Sequence, residues 1–200
     1  MAFYYDHVLP CLTHLAMSNR RLAEYRRRVV SQARGRVLEI GVGSGLNLPL
    51  YGSQVASVHG LDPSAGLLRR AVGRRAANTT LIEASAEVMP FDRDAFDTVV
   101  TTWTLCTIPK VVAALQEMRR VLRPDGRLLF VEHGLAPDRG VVHWQDRLTP
   151  CWKCLGGGCH LNRKIDDLIR LAGFRIERID TGYMAGRNPF TFMYEGAAAK

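Results

Sequence analysis

From Arg36 to Glu132 short runs of apolar, β-favouring residues alternate with stretches whose apolar residues recur every three or four positions. The runs predict strands over Arg36–Ile40, Val55–Leu61, Thr80–Ala84, Ala95–Thr102 and Arg127–Glu132. The intervening stretches predict helices. A short one starts near Leu46, a second covers Ala65–Ala77 behind a Ser64 N-cap, and a third covers Val111–Val121. The third places Val111, Ala114, Leu115, Met118 and Leu122 on one face. Arg123-Pro124-Asp125-Gly126 then predicts a turn. Such alternation implies an α/β, doubly wound fold, with a mostly parallel sheet and helices on both faces. The ends of the chain read differently. Residues 3–33 predict two helices that break near Met17, with Ser18 as an N-cap. Ala136–Arg163 predicts a helix followed by a glycine-rich loop. Lys164–Ala172 predicts a helix ended by Gly173, and Phe174–Thr181 and Phe190–Tyr194 predict two closing strands.

Chemistry enters at the end of the first strand. Val37, Leu38 and Ile40 lead into Gly41, Gly43 and Gly45, with Glu39 just before the turn. Glycine lets the backbone take positive φ and approach a ligand closely, and a glycine turn between strand and helix suits a nucleotide-like ligand. The second strand runs into Asp62, 21 residues after Gly41. A carboxylate at that spacing is placed to accept both hydroxyls of a ribose.

A net charge of +8 is compatible with an anionic partner. The basic residues are nevertheless spread along the chain, apart from Arg20, Arg21, Arg26, Arg27 and Arg28. That cluster lies on an amphipathic stretch that would suit either an anionic membrane surface or a solvated face. No apolar run is long enough to cross a bilayer, and the N-terminus has no signal-peptide pattern. Five cysteines, an odd number, favour a reduced, cytoplasmic setting.

The G-x-G-x-G spacing behind Glu39 resembles motif I of the class I S-adenosylmethionine (SAM)-dependent methyltransferases. Val-Leu-Arg-Pro-Asp-Gly-Arg-Leu-Leu-Phe-Val-Glu-His at 121–133 is followed by Trp144-Gln145, Pro150 with Trp152, Gly158-Cys159 and Asn162-Arg163. This order is similar to the methyltransferase-like thiol S-methyltransferases and their short bacterial relatives. The apolar N-terminal helix of the membrane-anchored relatives has no counterpart here. The resemblance implies a Rossmann-like sheet of seven strands with one antiparallel strand, built as a single domain over 1–200. Residues 1–34 would form a helical lid and 136–163 an insertion near the active site. It also implies SAM as cofactor. Its contacts would come from Glu39, Gly41, Gly43, Gly45 and Asn47 on the loop, and from Asp62 and Pro63 after the second strand. Ser85, Ala86 and Glu87 would follow the third strand, Thr102 and Leu105 the fourth, and Tyr5 would reach in from the lid.

Methyl transfer from a sulfonium needs alignment and water exclusion more than acid–base machinery. A thiol acceptor is a few per cent thiolate at neutral pH and needs only a weak base. His133, past the fifth strand at the ligand end of the sheet, is the candidate base. Trp144, Trp152 and the Gly156-Gly157-Gly158 hinge are the candidate acceptor wall. Cys151, Cys154, Cys159 and His160 together offer the donor types of a zinc site. Adjacent Cys159 and His160 are awkward joint ligands, so no metal is assigned. The leading expectation is methyl transfer to a small thiol or similar soft nucleophile. Alternatives are a phospholipid or quinone-precursor methyltransferase at a membrane surface, a nucleic-acid methyltransferase, and a SAM-binding protein without catalysis. No separate nucleic-acid-binding module is visible, which disfavours the nucleic-acid reading.

Overall fold

The computed structural model describes Tyr4 and residues 8–200. Two helices open it, α1 (Leu9–Met17) and α2 (Arg20–Val30). The sheet is built from β1 (Gly35–Ile40), β2 (Val55–Asp62), β3 (Thr79–Glu83), β4 (Phe96–Thr102), β5 (Leu122–His133), β6 (Arg175–Tyr183) and β7 (Phe192–Ala199). Between strands lie α3 (Ala65–Ala71), α4 (Val111–Val121), α5 (Arg139–Leu155) and α6 (Ile165–Leu171). The strand order is β3-β2-β1-β4-β5-β7-β6. β1 to β5 are parallel, and β7 runs antiparallel between β5 and β6. This is the expected doubly wound, seven-stranded sheet with one antiparallel strand.

Strand alternation divides the core into two layers. Val37, Val100, Leu129 and Val131 pack with Val29 and Val30 of α2 and with Leu68 and Ala71 of α3. Their neighbours Leu38, Val99, Leu128 and Phe130 face the other way, against α4 and α6 through Leu115, Met118, Ile165 and Ile169.

Several boundaries differ from expectation for local reasons. Asn19, not Ser18, caps α2, accepting a hydrogen bond from Arg21 N at 2.9 Å. Ser18 instead ends α1 and donates its hydroxyl to His14 O. Ser64 caps α3 as expected, but that helix stops at Ala71 and tightens into a 3-10 turn over Val72–Arg74. The segment after the glycine loop is only a 3-10 turn, Leu48–Leu50. Arg123–Gly126 is a register break within β5, whose Leu122 pairs with Phe96 and whose Arg127 pairs with Thr98.

β7 extends through a Gly-Ala-Ala-Ala run that local propensity would leave out of a strand. It is a strand because it is paired on both edges, and its small residues fit the space. A Cβ on Gly196 would lie 2.3 Å from Arg178 O and 2.7 Å from Phe130 Cζ. Gly196→Ala should therefore destabilise the protein by roughly 1–3 kcal/mol through overpacking. Denaturant unfolding at an unchanged midpoint would contradict this.

Candidate active site

A cavity of about 570 Å³ opens at the carboxyl ends of β1, β2 and β4. The strand order reverses between the parallel β1 and β4, and ligands of such sheets bind at that crevice. The glycine turn forms its floor. Gly41 has φ +68°, and a Cβ there would meet the Thr104 side chain at 2.3 Å. Gly43 has φ +54°, and its missing side chain leaves open space lined only by Gly41 O at 3.8 Å. The first glycine lets β4 pass close by, and the second exposes bare backbone to the cavity.

Two carboxylates frame this floor. Glu39 is 1% exposed. Its Oε1 accepts from Asn47 Nδ2 at 2.9 Å and its Oε2 from Tyr51 OH at 2.9 Å. Asn47 Nδ2 also donates to Thr102 Oγ1, which joins the loop to β4. Burial raises the Glu39 carboxyl to about 7, against the pull of Tyr51, Asn47 and the charge of Arg26. Asp62 accepts from Gly43 N at 2.9 Å and Ser64 N at 2.8 Å. Burial pushes its pKa up and these two N–H groups pull it down. Each Asp62 oxygen keeps a lone pair for a ligand hydroxyl.

Of the residues named from sequence, Glu39, Gly41, Gly43 and Asn47 line the cavity, as do Asp62, Pro63 and Thr102. So do Ser85, Ala86 and Glu87, and Glu87 Oε1 also accepts from Lys110 N at 2.8 Å, ahead of α4. Gly45 does not line it. The site of a Gly45 side chain is filled by Leu48 and Ala71, so this glycine serves turn-to-helix packing. Leu105 does not line it either, being fully buried in the core. Tyr5 lies outside the described residues.

His133 is likewise absent from the cavity wall. As the last residue of β5 it is covered by the chain that returns after α5, and its Nε2 lies 3.1 Å from Cys159 Sγ. Trp144 is 52% exposed on α5, and Trp152 packs edge-on against Phe190 at 4.9 Å. The 136–163 segment reaches the cavity only through Gly156, Gly157 and Gly158. Cys151 and Cys154 are exposed, away from any shared ligand position with Cys159.

The N-terminal lid expected from the sequence contributes through α1, and His14, Arg26 and Trp103 join the cavity without having been singled out by any sequence motif. α1 covers the cavity with Leu9, Pro10, Thr13, His14 and Met17. His14 Nδ1 lies 2.7 Å from Ser44 Oγ, linking α1 to the glycine loop. Arg26 is 4% exposed and lies over the Trp103 ring at 4.8 Å, lining the cavity near Glu39. Burial lowers its pKa to about 10, opposed by Glu39. The signal was available, because Arg26 shares the buried stripe of Leu22, Val29 and Val30 on α2. The surrounding arginines disguised it as a solvated cluster. Trp103 has φ +51°, unusual for a bulky residue, at the turn leaving β4.

The description "Methyltransferase domain" matches residues 38–130. The chain is 33% identical to rat thiol S-methyltransferase TMT1B, over 86% of this chain and 75% of the relative. The human TMT1B match is 34% over 80% and 71%. A phosphatidylethanolamine N-methyltransferase from Cereibacter sphaeroides is 39% identical over 54% of this chain and 55% of its own. Among solved structures, a SAM-dependent methyltransferase from Thermotoga maritima superposes with TM-score 0.71 at 20% identity, covering all of both chains. The chain belongs to the class I SAM-dependent methyltransferases. It is a SAM-dependent enzyme, and the fit is visible in the bare backbone at Gly43, the buried acids on either side, and an Asn47 Oδ1 with no protein partner among the described residues.

If Asp62 holds the ribose hydroxyls, Asp62→Ala should weaken SAM binding by roughly 1.5–3 kcal/mol. Unchanged affinity by calorimetry would exclude that role. The Glu39 shift also fixes a pH dependence. With a folded pKa of about 7 against an ordinary 4.5, the folded state keeps a proton that the unfolded chain releases in between. The cofactor-free protein should lose stability as pH rises from 4.5 to 7, by up to a few kcal/mol. Glu39→Gln should gain relative to wild type across that window. A wild-type-to-variant difference that stays constant from pH 5 to pH 8 would refute the assignment.

Proposed function

We propose that this enzyme methylates the sulfur of a small-molecule thiol. The observation that carries the reading is the identity to thiol S-methyltransferases across 86% of the chain. That match extends beyond the cofactor half, which class I methyltransferases share. The geometry supports it. Glu39 and Asp62 are engaged at the glycine loop, while Leu9, Pro10, Met17, Ile108 and Pro109 supply an apolar wall opposite. A desolvated, weakly basic pocket suits a soft nucleophile better than an ammonium that must shed its proton. SAM, when bound, supplies an electrophilic methyl on a sulfonium.

The protein's own residues do the rest. Asp62 and the backbone at Gly43 orient the nucleoside end. Glu39 and Arg26, which line the same stretch of cavity, offer an acidic and a basic group to the two ends of an amino-acid moiety. α1 excludes water from the reacting centre. His14, rather than His133, is the imidazole that lines the cavity and can act as the base. Burial, with Arg74 and Arg70 nearby, lowers its pKa and keeps it neutral. With Nδ1 at Ser44, its Nε2 is free to receive a thiol proton. The five free cysteines suit a reduced, cytoplasmic setting.

A second reading has an observation of its own. Leu12 and Leu15 on α1 are 51% and 74% exposed beside the cavity, next to the basic start of α2, and a phosphatidylethanolamine methyltransferase is among the relatives. Labelled-SAM assays with alkyl and aryl thiols, and with phosphatidylethanolamine vesicles, separate the two. Transfer to thiols but not vesicles is expected, and the reverse would reject the thiol reading. His14→Gln should lower kcat/KM for a thiol about 10- to 100-fold near neutral pH. The loss should fade above the thiol's own pKa, where free thiolate is abundant. An equal loss at every pH would reduce His14 to a packing role.

A further inference from the structure

Behind the cavity wall lies a cluster that methyl transfer does not use. Cys106 follows β4, His133 ends β5, and Cys159 follows the glycine turn after α5. Cys106 is 2% exposed, Cys159 8% and His133 9%. One donor atom from each, Cys106 Sγ, a His133 ring nitrogen and Cys159 Sγ, lies within 4.8 Å of the other two. Among the described residues no other grouping of three such side chains converges this way. We propose that Cys106, His133 and Cys159 bind a zinc ion.

Donor chemistry and spacing support this. Two thiolates and one imidazole are soft-to-borderline ligands that select zinc over hard cations. Ligands at roughly 2.0–2.3 Å from a tetrahedral zinc stand roughly 3.4–3.8 Å apart. The present cluster, with His133 Nε2 already 3.1 Å from Cys159 Sγ, reaches that spacing by small side-chain rotations. Two thiolates balance the charge of a divalent ion, and the neighbouring Glu132 carboxyl and Arg163 guanidinium carry opposite signs. On binding, each thiol gives up its proton to solvent and forms one Zn–S bond, while the imidazole stays neutral.

The three ligands come from three separated segments, so the ion would tie them together. Thr107 and Gly158 line the cavity, and Cys106 and Cys159 are their immediate neighbours in the chain. His160 N already donates to Cys106 O at 2.8 Å, and Arg163 donates to Leu105 O, so the loops are held in register around the cluster. Zinc would clamp the Gly156–Gly158 wall onto the β4 end of the sheet. Three protein donors leave the fourth position open to a small ligand. This set differs from the Cys151, Cys154, Cys159 and His160 combination. It shares only Cys159 and replaces the earlier expectation of no metal.

The test uses the full chain, reduced, stripped with chelator and dialysed against zinc sulfate. Elemental analysis should find one zinc per chain, and zinc should raise the melting midpoint. Cobalt in its place should give the thiolate-to-metal absorption of a tetrahedral site. Cys106→Ser and Cys159→Ser should each weaken zinc binding more than about tenfold, while Cys151→Ser with Cys154→Ser should leave it unchanged. Zinc at background in the reconstituted wild type overturns the proposal, whatever the variants do. So does zinc that survives loss of both Cys106 and Cys159. Recovery of a Cys106–Cys159 disulfide that, once reduced, takes up no metal also overturns it.

Discussion

Glu39 is a carboxylate at the end of a central strand with almost no access to water. Such a group must be partnered, and its partners set the shape of the site. Asn47 and Tyr51, both just past the glycine turn, donate to its two oxygens, and Asn47 reaches on to Thr102 at the end of β4. The turn is thereby held against two strands at once. A backbone path through positive φ at Gly41, Gly43 and Gly45 costs conformational freedom, and the buried carboxylate provides the anchor that holds it in one form.

The same economy of contacts runs outward from the loop. Gly43 N closes on Asp62, adding a side-chain hydrogen bond to the backbone ones that Gly41 N and Val42 N make to Leu61 O. Glu132, on the far side, accepts from Thr101 Oγ1 and Thr104 N and fixes the chain as it leaves β4. Buried acids thus stitch consecutive parallel strands together at their carboxyl ends. The opposite ends of the strands carry no comparable network of fully buried carboxylates among the described residues. Charge is concentrated where a polar, zwitterionic cofactor is received and kept out of the apolar layers on both faces of the sheet.

The acceptor side is built by different means. α1 and the Gly156–Gly158 turn are remote in sequence and meet across the cavity mouth, where Leu9 lies 3.1 Å from the site of a Gly157 Cβ. Apolar side chains and bare backbone dominate there. This asymmetry, polar at the loop and apolar at the lid, is what separates the cofactor end from the acceptor end.

The order of strands and helices was legible because strands buried on both faces demand continuous apolar runs and α4 demands a stripe of period near 3.6. The cofactor loop was legible because its spacing is local: Glu39, Gly41, Gly43, Asn47 and Asp62 lie within two adjoining βα segments. Non-local placement was not legible. β7 became a long strand through pairing with β5 and β6, against the propensity of its Gly-Ala run. Gly45 and Leu105 lie beside the motif, yet packing turned both away from the cavity. His133 was correctly placed at the ligand end of the sheet, but the return of the chain after α5 covered it with Cys159. The arginine cluster of α2 suits a membrane surface or water in the sequence, whereas Arg26 is buried over Trp103, a residue 77 positions later. Periodicity and short-range spacing report what a residue requires of its own element. Which distant side chain meets that requirement is decided only when the layers close.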